Sequence, residues 1–272
     1  MLTTTQKIAF LNDGFLLVPN VFSSSEVTQL RGTLKEMFRT RASHPGDFDG
    51  RATLGSVRFD PFCREPTLAW VLGHGAMVSA LKALLGEDFL YLPEMSAHCG
   101  GFGDWHKDTT QQEKAGHFFQ WSPTYATVEA AIYLQDNGDW GGGLDVIPGS
   151  HRASDRWVAE RGAVEELRAR LERRRLIPRL RGRSIPSKAG DLVIFDFRLD
   201  HKASWPRRSG EIPGGREKFA LFAACSANNE HAQSYLRYIK QRPDYAFLKE
   251  HEYSPSVREA VSSAGARLLP VS

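Results

Sequence analysis

His106 and Asp108 stand two positions apart in "GDWHKDTTQQ", between a glycine-bearing entry and a polar exit. On a strand, side-chain direction alternates with period two, so an imidazole and a carboxylate at that spacing share one face. Such a pair suits two cis positions on one metal ion. Nitrogen and oxygen donors without thiolate favour iron(II) or manganese(II) over a structural zinc. His-x-Asp alone is common by chance, so the reading requires a third ligand elsewhere in the chain.

The remaining histidines differ in their settings. His44 and His117 fall in loops, His74 in a predicted helix, and His231 and His251 in a polar C-terminal helical region. His98 lies on the strand before the pair, too near His106 to come from a distant strand. His151 ends "IPGSH", where a turn-bracing role fits better. His201 ends "DLVIFDFRLDH", the most strand-like run of the chain, 95 residues after His106. One strand supplying His106 and Asp108 and a distant strand supplying His201 make a 2-His-1-carboxylate facial triad, which leaves positions open for cosubstrate and oxygen.

The elements that position these residues can be read from periodicity. Residues 8–11 are helix-like, Asn12-Asp13-Gly14 signals a turn, and "FLLVPNVF" is an apolar strand. Ser23–Ser25 offer caps for an amphipathic helix over 25–40, with Val27, Leu30, Leu34 and Phe38 on one side. Residues 43–66 read as ordered but irregular. A second helix is predicted over 67–85, with a break where Gly73 and Gly75 fall. Beyond Gly86, short apolar runs alternate with turn signals: "FLYLPEMSAHC", "TVEAAIYLQD", "LDVIPGSH", "DLVIFDFRLDH" and "KFALFAACSAN". That spacing predicts a β-sandwich or barrel. Gly141–Gly143 lack the strand-to-helix setting of a phosphate loop and read as a turn. Trp105 is expected to pack in the core or the pocket wall, and Tyr125, Thr127 and Tyr133 are candidates for the pocket lining.

One segment interrupts the strands. Residues 152–183 hold eleven arginines against five acidic residues, with a narrow apolar stripe at Val164, Leu167 and Leu171. A short helix with a solvated basic face is expected, and a basic flap beside an anion site is the sharper alternative.

Bulk composition bounds the remaining possibilities. The 272 residues are 41% hydrophobic and 25% charged, an ordinary globular balance, and the net charge of +3 gives no case for nucleic-acid binding. Three cysteines, Cys63, Cys99 and Cys225, have neither disulfide-framework nor metal-ligand spacing and read as thiols of a reducing compartment. No secretory leader or membrane-length apolar run is visible, so a cytoplasmic protein is expected, with no membrane or nucleic-acid partner. Oligomeric state is not legible.

Several stretches together resemble the phytanoyl-CoA dioxygenase-like branch of the iron(II)/2-oxoglutarate oxygenases. They are "FLNDGFLLVPNVFSSSEVTQLR", "GDWHKDT", "GGGLDVIPGSH" and "GDLVIFDFRLDHKAS", in that order, with the likeness running from about residue 8 to about residue 228. The resemblance implies a mainly β fold with flanking helices, a cupin-like double-stranded β-helix (jelly roll), as one domain over 1–272 with the basic, partly helical insertion. It implies that iron(II) binds His106, Asp108 and His201 and that 2-oxoglutarate and O2 are consumed, with ascorbate supportive in vitro. It also implies a basic residue after the distal histidine for the far carboxylate of 2-oxoglutarate. Arg216, at the start of "REKFALFAACSANN" and 15 residues after His201, is the choice; Lys218 has the same strand parity and competes, and Arg207 and Arg208 are expected in the loop. Thr127 is a further candidate on the cosubstrate.

The implied reaction is hydroxylation of an unactivated C–H bond of a small metabolite, with release of succinate and CO2. Halogenases of this superfamily replace the acidic ligand by Gly or Ala, so Asp108 disfavours halogenation. Arg58, Arg152, the insertion arginines and Arg207/Arg208 mildly favour an anionic substrate. Two other readings compete: a non-catalytic jelly-roll sensor of a ligand or metal, and a protein-modifying oxygenase whose basic insertion docks an acidic partner.

Overall fold

A computed structural model describes residues 2–50, 55–101, 105–137, 143–152, 171, 182–204 and 218–271. The chain opens with helix α1 (Thr4–Asp13), capped by a reciprocal Thr3/Gln6 box, and strand β1 (Phe15–Val18). Gly14 joins them at φ 81°, and a Cβ there would come within 2.5 Å of His151 Nδ1, so both conformation and space require glycine. Helix α2 (Ser24–Arg39) follows, with Ser23 and Glu26 forming the capping box, one residue from the expected start. The predicted 67–85 helix is two pieces bent by 50°: a 3-10 segment, Pro66–Gly73, and helix α3 (Gly75–Leu85), with His74 at the break.

The strands are β2 (Ser56–Phe59), β3 (Leu90–Cys99), β4 (Thr127–Tyr133), β5 (Leu144–Val146), β6 (Arg183–Ser184), β7 (Leu192–Asp196), β8 (His201–Ala203), β9 (Phe219–Ser226) and β10 (Arg267–Leu268). The larger sheet runs β1-β7-β4-β9-β3-β10, with β2 also paired to β3, and the smaller runs β6-β5-β8. Among the described residues every pairing is antiparallel except β10 on β3. The two-residue strands β6 and β10 are too short to carry a period, which is why sequence pattern missed them.

Alternation explains how one sheet serves two cores. Ala131 and Tyr133 of β4 and Val193 and Phe195 of β7 pack inward with Leu144 and Val146 of the smaller sheet and with Ile185, just after β6. Val128, Ala130, Ile132, Leu192 and Ile194 face outward, into the larger core beneath the helices. Strands buried on both faces read as continuous apolar runs. Two facing antiparallel sheets around the inner core, with helices on one outer face, make the expected jelly roll. Helices α4 (Glu230–Ile239) and α5 (Pro255–Ser263) follow β9, and His251 lies between them, not in a helix as predicted. The predicted helix of the basic insertion lies outside the described residues. Among the described residues no single helix is long and apolar enough to cross a membrane.

Candidate metal centre and active site

The three predicted ligands converge. The ligand atoms of His106, Asp108 and His201 all lie within 4.8 Å of one another. Asp108 Oδ1 is 3.9 Å from His106 Nε2 and 3.6 Å from His201 Nε2. The supporting backbone differs from the expected regular strand. His106 pairs with His201 as an isolated antiparallel bridge, each N–H donating to the other's carbonyl at 3.0 and 2.9 Å. Asp108 sits in the turn that follows, its N–H donating to Phe197 O at 3.0 Å. His201 does not end the long strand either: β7 stops at Asp196, a turn intervenes, and His201 opens β8.

That turn fixes the imidazole. His201 Nδ1–H donates to Leu199 O at 3.0 Å, leaving Nε2 for a ligand, and the Phe195 ring lies 4.7 Å away, centroid to centroid. Burial, then the neighbouring His106, hold His201 well below its usual range, so the ring is neutral as a metal requires. Asp108 Oδ2 is buried with no hydrogen-bond partner among the described residues. Burial pushes the Asp108 carboxyl well up, and Glu94 and Asp196 add to it. Two imidazoles and an unsatisfied carboxylate are a donor set that a divalent cation completes.

Lys107, between the ligands, points the opposite way and is buried. Its ammonium donates to Ser150 O at 2.6 Å and to Arg198 O, with Asp200 Oδ2 at 3.8 Å. It ties the motif both to the "PGSH" loop and to the turn carrying His201. Nothing in the pattern "HKD" marked this residue. His151 has the expected bracing role: its Nε2 bonds Leu11 O at 3.2 Å, at the end of α1.

The triad opens into a cavity of about 550 Å³, within the range of small-molecule sites. Of the predicted lining residues Tyr133 is there, whereas Tyr125 and Thr127 are not. The Thr127 hydroxyl instead meets Ser226 Oγ across the sheet at 3.2 Å. Trp105 lies outside the cavity beneath Lys202, whose Nζ is 5.0 Å from the ring centroid. His98 reaches the cavity but not the triad; burial lowers its pKa to about 4, and it bonds Ser96 at 3.0 Å. Lys218 lines the cavity, its pKa lowered to about 8 by burial, while Arg207, Arg208 and Arg216 lie outside the described residues.

Two arginines expected to face an anion do not. Arg58 is 1% exposed and pairs with Asp49 at 2.6 Å; Arg152 bonds Asn12 Oδ1 at 3.0 Å and the Leu11 carbonyl. The cavity wall instead carries Glu94 and Glu129, which sequence reading passed over. The available signal was an acidic residue inside each of two apolar runs, "FLYLPEM" and "TVEAAIY".

A second group of ligand-type side chains, Asp60, Cys63 and His251, lies outside the cavity lining. Burial, with Asp60 beside it, raises the Cys63 thiol to about 12, so it stays protonated, and His251 Nδ1 lies 3.4 Å from Asp60 Oδ2. This is a buried polar cluster joining a helical turn to the C-terminal segment.

Comparison with known proteins agrees with the geometry. Residues 10–210 match the family "Phytanoyl-CoA dioxygenase (PhyH)". The chain belongs to this family. An ectoine dioxygenase from Bordetella bronchiseptica is 26% identical over 231 residues, covering 76% of this chain and 73% of that protein. An L-proline trans-4-hydroxylase from Streptomyces griseoviridis is 29% identical over 155 residues, 54% of each chain. Among solved structures, HygX from Streptomyces hygroscopicus, with nickel and 2-oxoglutarate bound, superposes with a TM-score of 0.64 at 18% identity, covering 84% of this chain and 88% of that one. EctD from S. alaskensis, with 2-oxoglutarate and 5-hydroxyectoine, gives a TM-score of 0.56 at 20% identity, covering 83% and 76%. At those identities the superpositions establish the jelly-roll fold of this PhyH-family chain.

Proposed function

We propose that this PhyH-family chain is an iron(II)- and 2-oxoglutarate-dependent dioxygenase that hydroxylates an unactivated C–H bond of a small metabolite. The observation that carries the reading is the convergence of His106, Asp108 and His201 at one cavity of a jelly roll. Relatives named as ectoine dioxygenase and proline hydroxylase support it. When bound, iron(II) activates O2 with 2-oxoglutarate: one oxygen atom goes to the substrate C–H, the other to succinate, and CO2 leaves. The protein's own residues would hold the ion on one face, keep His201 neutral by burial, orient its ring through Leu199 O, and line the cavity beside the triad with Phe195, Tyr133 and Phe222. These walls limit water.

The far carboxylate of 2-oxoglutarate is assigned to Arg216. Lys218, two positions later and of the same parity, lines the cavity with Ala220 and Phe222, which supports that end of β9 as the anchor. The cytoplasm is the proposed compartment, supported by three free cysteines.

Purified protein given iron(II), ascorbate, 2-oxoglutarate and O2 is expected to form succinate, and His106→Ala and His201→Ala to abolish both turnover and tight iron binding. Iron binding without succinate formation across a broad metabolite panel would sink the enzymatic reading. For the anchor, Arg216→Ala is expected to raise the 2-oxoglutarate KM by roughly ten- to a hundredfold, the cost of losing a charge-assisted bidentate contact. If Lys218→Ala does so and Arg216→Ala does not, the anchor is Lys218.

A further inference from the structure

Glu129 is 9% exposed, yet it lines the cavity, and its Oε1 has no hydrogen-bond partner among the described residues. Its strand neighbours offer nothing polar: it stands opposite Phe195 on β7 and Ala224 on β9. Phe195 is the ring packed on His201, so Glu129 lies one strand from the distal ligand. A carboxylate withdrawn from water and left unpaired carries a large desolvation cost unless something of opposite charge or a strong donor enters beside it.

The other acids of this wall are already engaged. Glu94, beside the irregularity in the β3–β9 register between Tyr91 and Met95, accepts from the Tyr235 and Tyr245 hydroxyls, one on each oxygen. Asp108 belongs to the metal. Arg242 lines the same region but is paired with Asp244 at 2.5 Å. Burial, followed by Asp108 and Glu94, pushes the Glu129 carboxyl up, with no cation acting on it among the described residues.

The two ends of the cavity therefore differ in charge. Lys218, immediately before β9, lies six residues from Ala224, the partner of Glu129, about 20 Å at the rise of an antiparallel strand. The dianionic cosubstrate belongs at the Lys218 end. What remains beside the triad is a subsite walled by acid and aromatic rings, the surroundings that recognise an organic cation.

We infer that Glu129 selects the primary substrate by pairing with a cationic nitrogen, a protonated amine or an amidinium, carried near the carbon that is hydroxylated. The inference rests on the oxygenase reading above and replaces the anionic substrate expected from sequence.

A pair of small ring probes tests it without knowledge of the natural substrate: pyrrolidine, a cation at neutral pH, against neutral tetrahydrofuran of matched shape. Binding is read by ligand-observed NMR on the metal-free protein and on the protein loaded anaerobically with iron(II) and 2-oxoglutarate, where the absorption band of that complex reports occupancy near the metal. The wild type is expected to prefer pyrrolidine by roughly ten- to a hundredfold, the ratio a charged partner confers. Glu129→Gln is expected to abolish the preference and leave 2-oxoglutarate binding intact. Equal binding of the two probes by the wild type overturns the inference, as does a preference that survives in Glu129→Gln. Weakened 2-oxoglutarate binding in Glu129→Gln overturns it too, because Glu129 would then serve the anchor end. The wild-type comparison stands even if the variant fails to fold. Failure of the iron(II)–2-oxoglutarate band to form tells against the oxygenase reading alone, since the metal-free measurement still reports on Glu129.

Discussion

Lys107 sits between His106 and Asp108 and turns its ammonium away from the triad. Its ammonium satisfies two carbonyls, Ser150 O and Arg198 O, in a place from which water is excluded. Because it holds the His106–Asp108 segment against the turn that delivers His201, its removal should be felt at the metal as well as in the fold. Lys107→Met keeps the aliphatic bulk and drops the charge. It is expected to cost about 2–4 kcal/mol of stability, leaving Asp200 and two carbonyls short of a donor. It is also expected to weaken iron(II) binding by roughly ten- to a hundredfold, as outer-shell losses do at metal sites. Chelator competition and thermal unfolding measure the two effects separately. A loss of stability with unchanged iron affinity would make Lys107 a scaffold residue only. The convergence of His106, Asp108 and His201 was legible from residue type and from the distant strand context of His201, although the period-two strand expected for the pair is a bridge followed by a turn. Lys107 and Glu129 were not, since their significance depends on what lies across the sheet.

At the scale of elements, the loop before residue 50 and strand β2 form a lip of the cavity, contributing Gly46, Phe48, Val57 and Phe59 to its lining. Residues 43–66 are expected to be ordered but irregular; within them β2 is a regular strand paired with β3 and bridged to Phe48, and ionic contacts tie the neighbouring loop to it. Arg58 Nη2 donates to Asp49 Oδ1 at 2.6 Å and to Thr40 O at 2.7 Å, and Nη1 to Phe48 O at 3.2 Å. Asp47 accepts from Arg64 at 2.8 Å and from the Phe59 N–H at 2.9 Å. Asp49 is half-exposed, but Arg58 and Asp47 are buried, and removing the guanidinium leaves Asp47 and the Thr40 and Phe48 carbonyls short of a partner, so Arg58→Ala is expected to cost about 3–5 kcal/mol. Since the cluster shapes the lip and not the metal, the KM for the primary substrate should rise while that for 2-oxoglutarate holds. A rise in both would mean that the damage reaches the barrel. The helices and the long strands were readable because each carries several turns or pleats of periodic pattern. The lip was readable only as a polar gap, because β2 is just four residues long and the side-chain pairings around it span up to 18 residues and follow no period.

Across the whole molecule, the triad gathers parts of the chain that folding must bring in from far apart. His106 and Asp108 come from the bridge and turn after β3, and His201 from β8 in the smaller sheet, 95 residues later. A preformed triad is a property of the folded state, since the unfolded chain cannot hold the three groups together, so metal affinity adds to folding stability. At metal concentrations a hundred times Kd the gain is about 2.7 kcal/mol. For a chain of this size each kcal/mol moves Tm by about 2–4 °C, so saturation should raise Tm by roughly 5–10 °C. Nickel(II), which avoids oxidation during the scan, serves as the probe, with 2-oxoglutarate added in a second series. The nickel increment should vanish with chelator and in His201→Ala, and 2-oxoglutarate should add a further rise only when the metal is present. A rise with 2-oxoglutarate alone would place its binding at the Lys218 end without the metal, and would separate anchoring from chelation as energetic contributions. An unchanged Tm with saturating nickel would mean that the convergence of these side chains does not make a metal centre, and the oxygenase reading would fall with it.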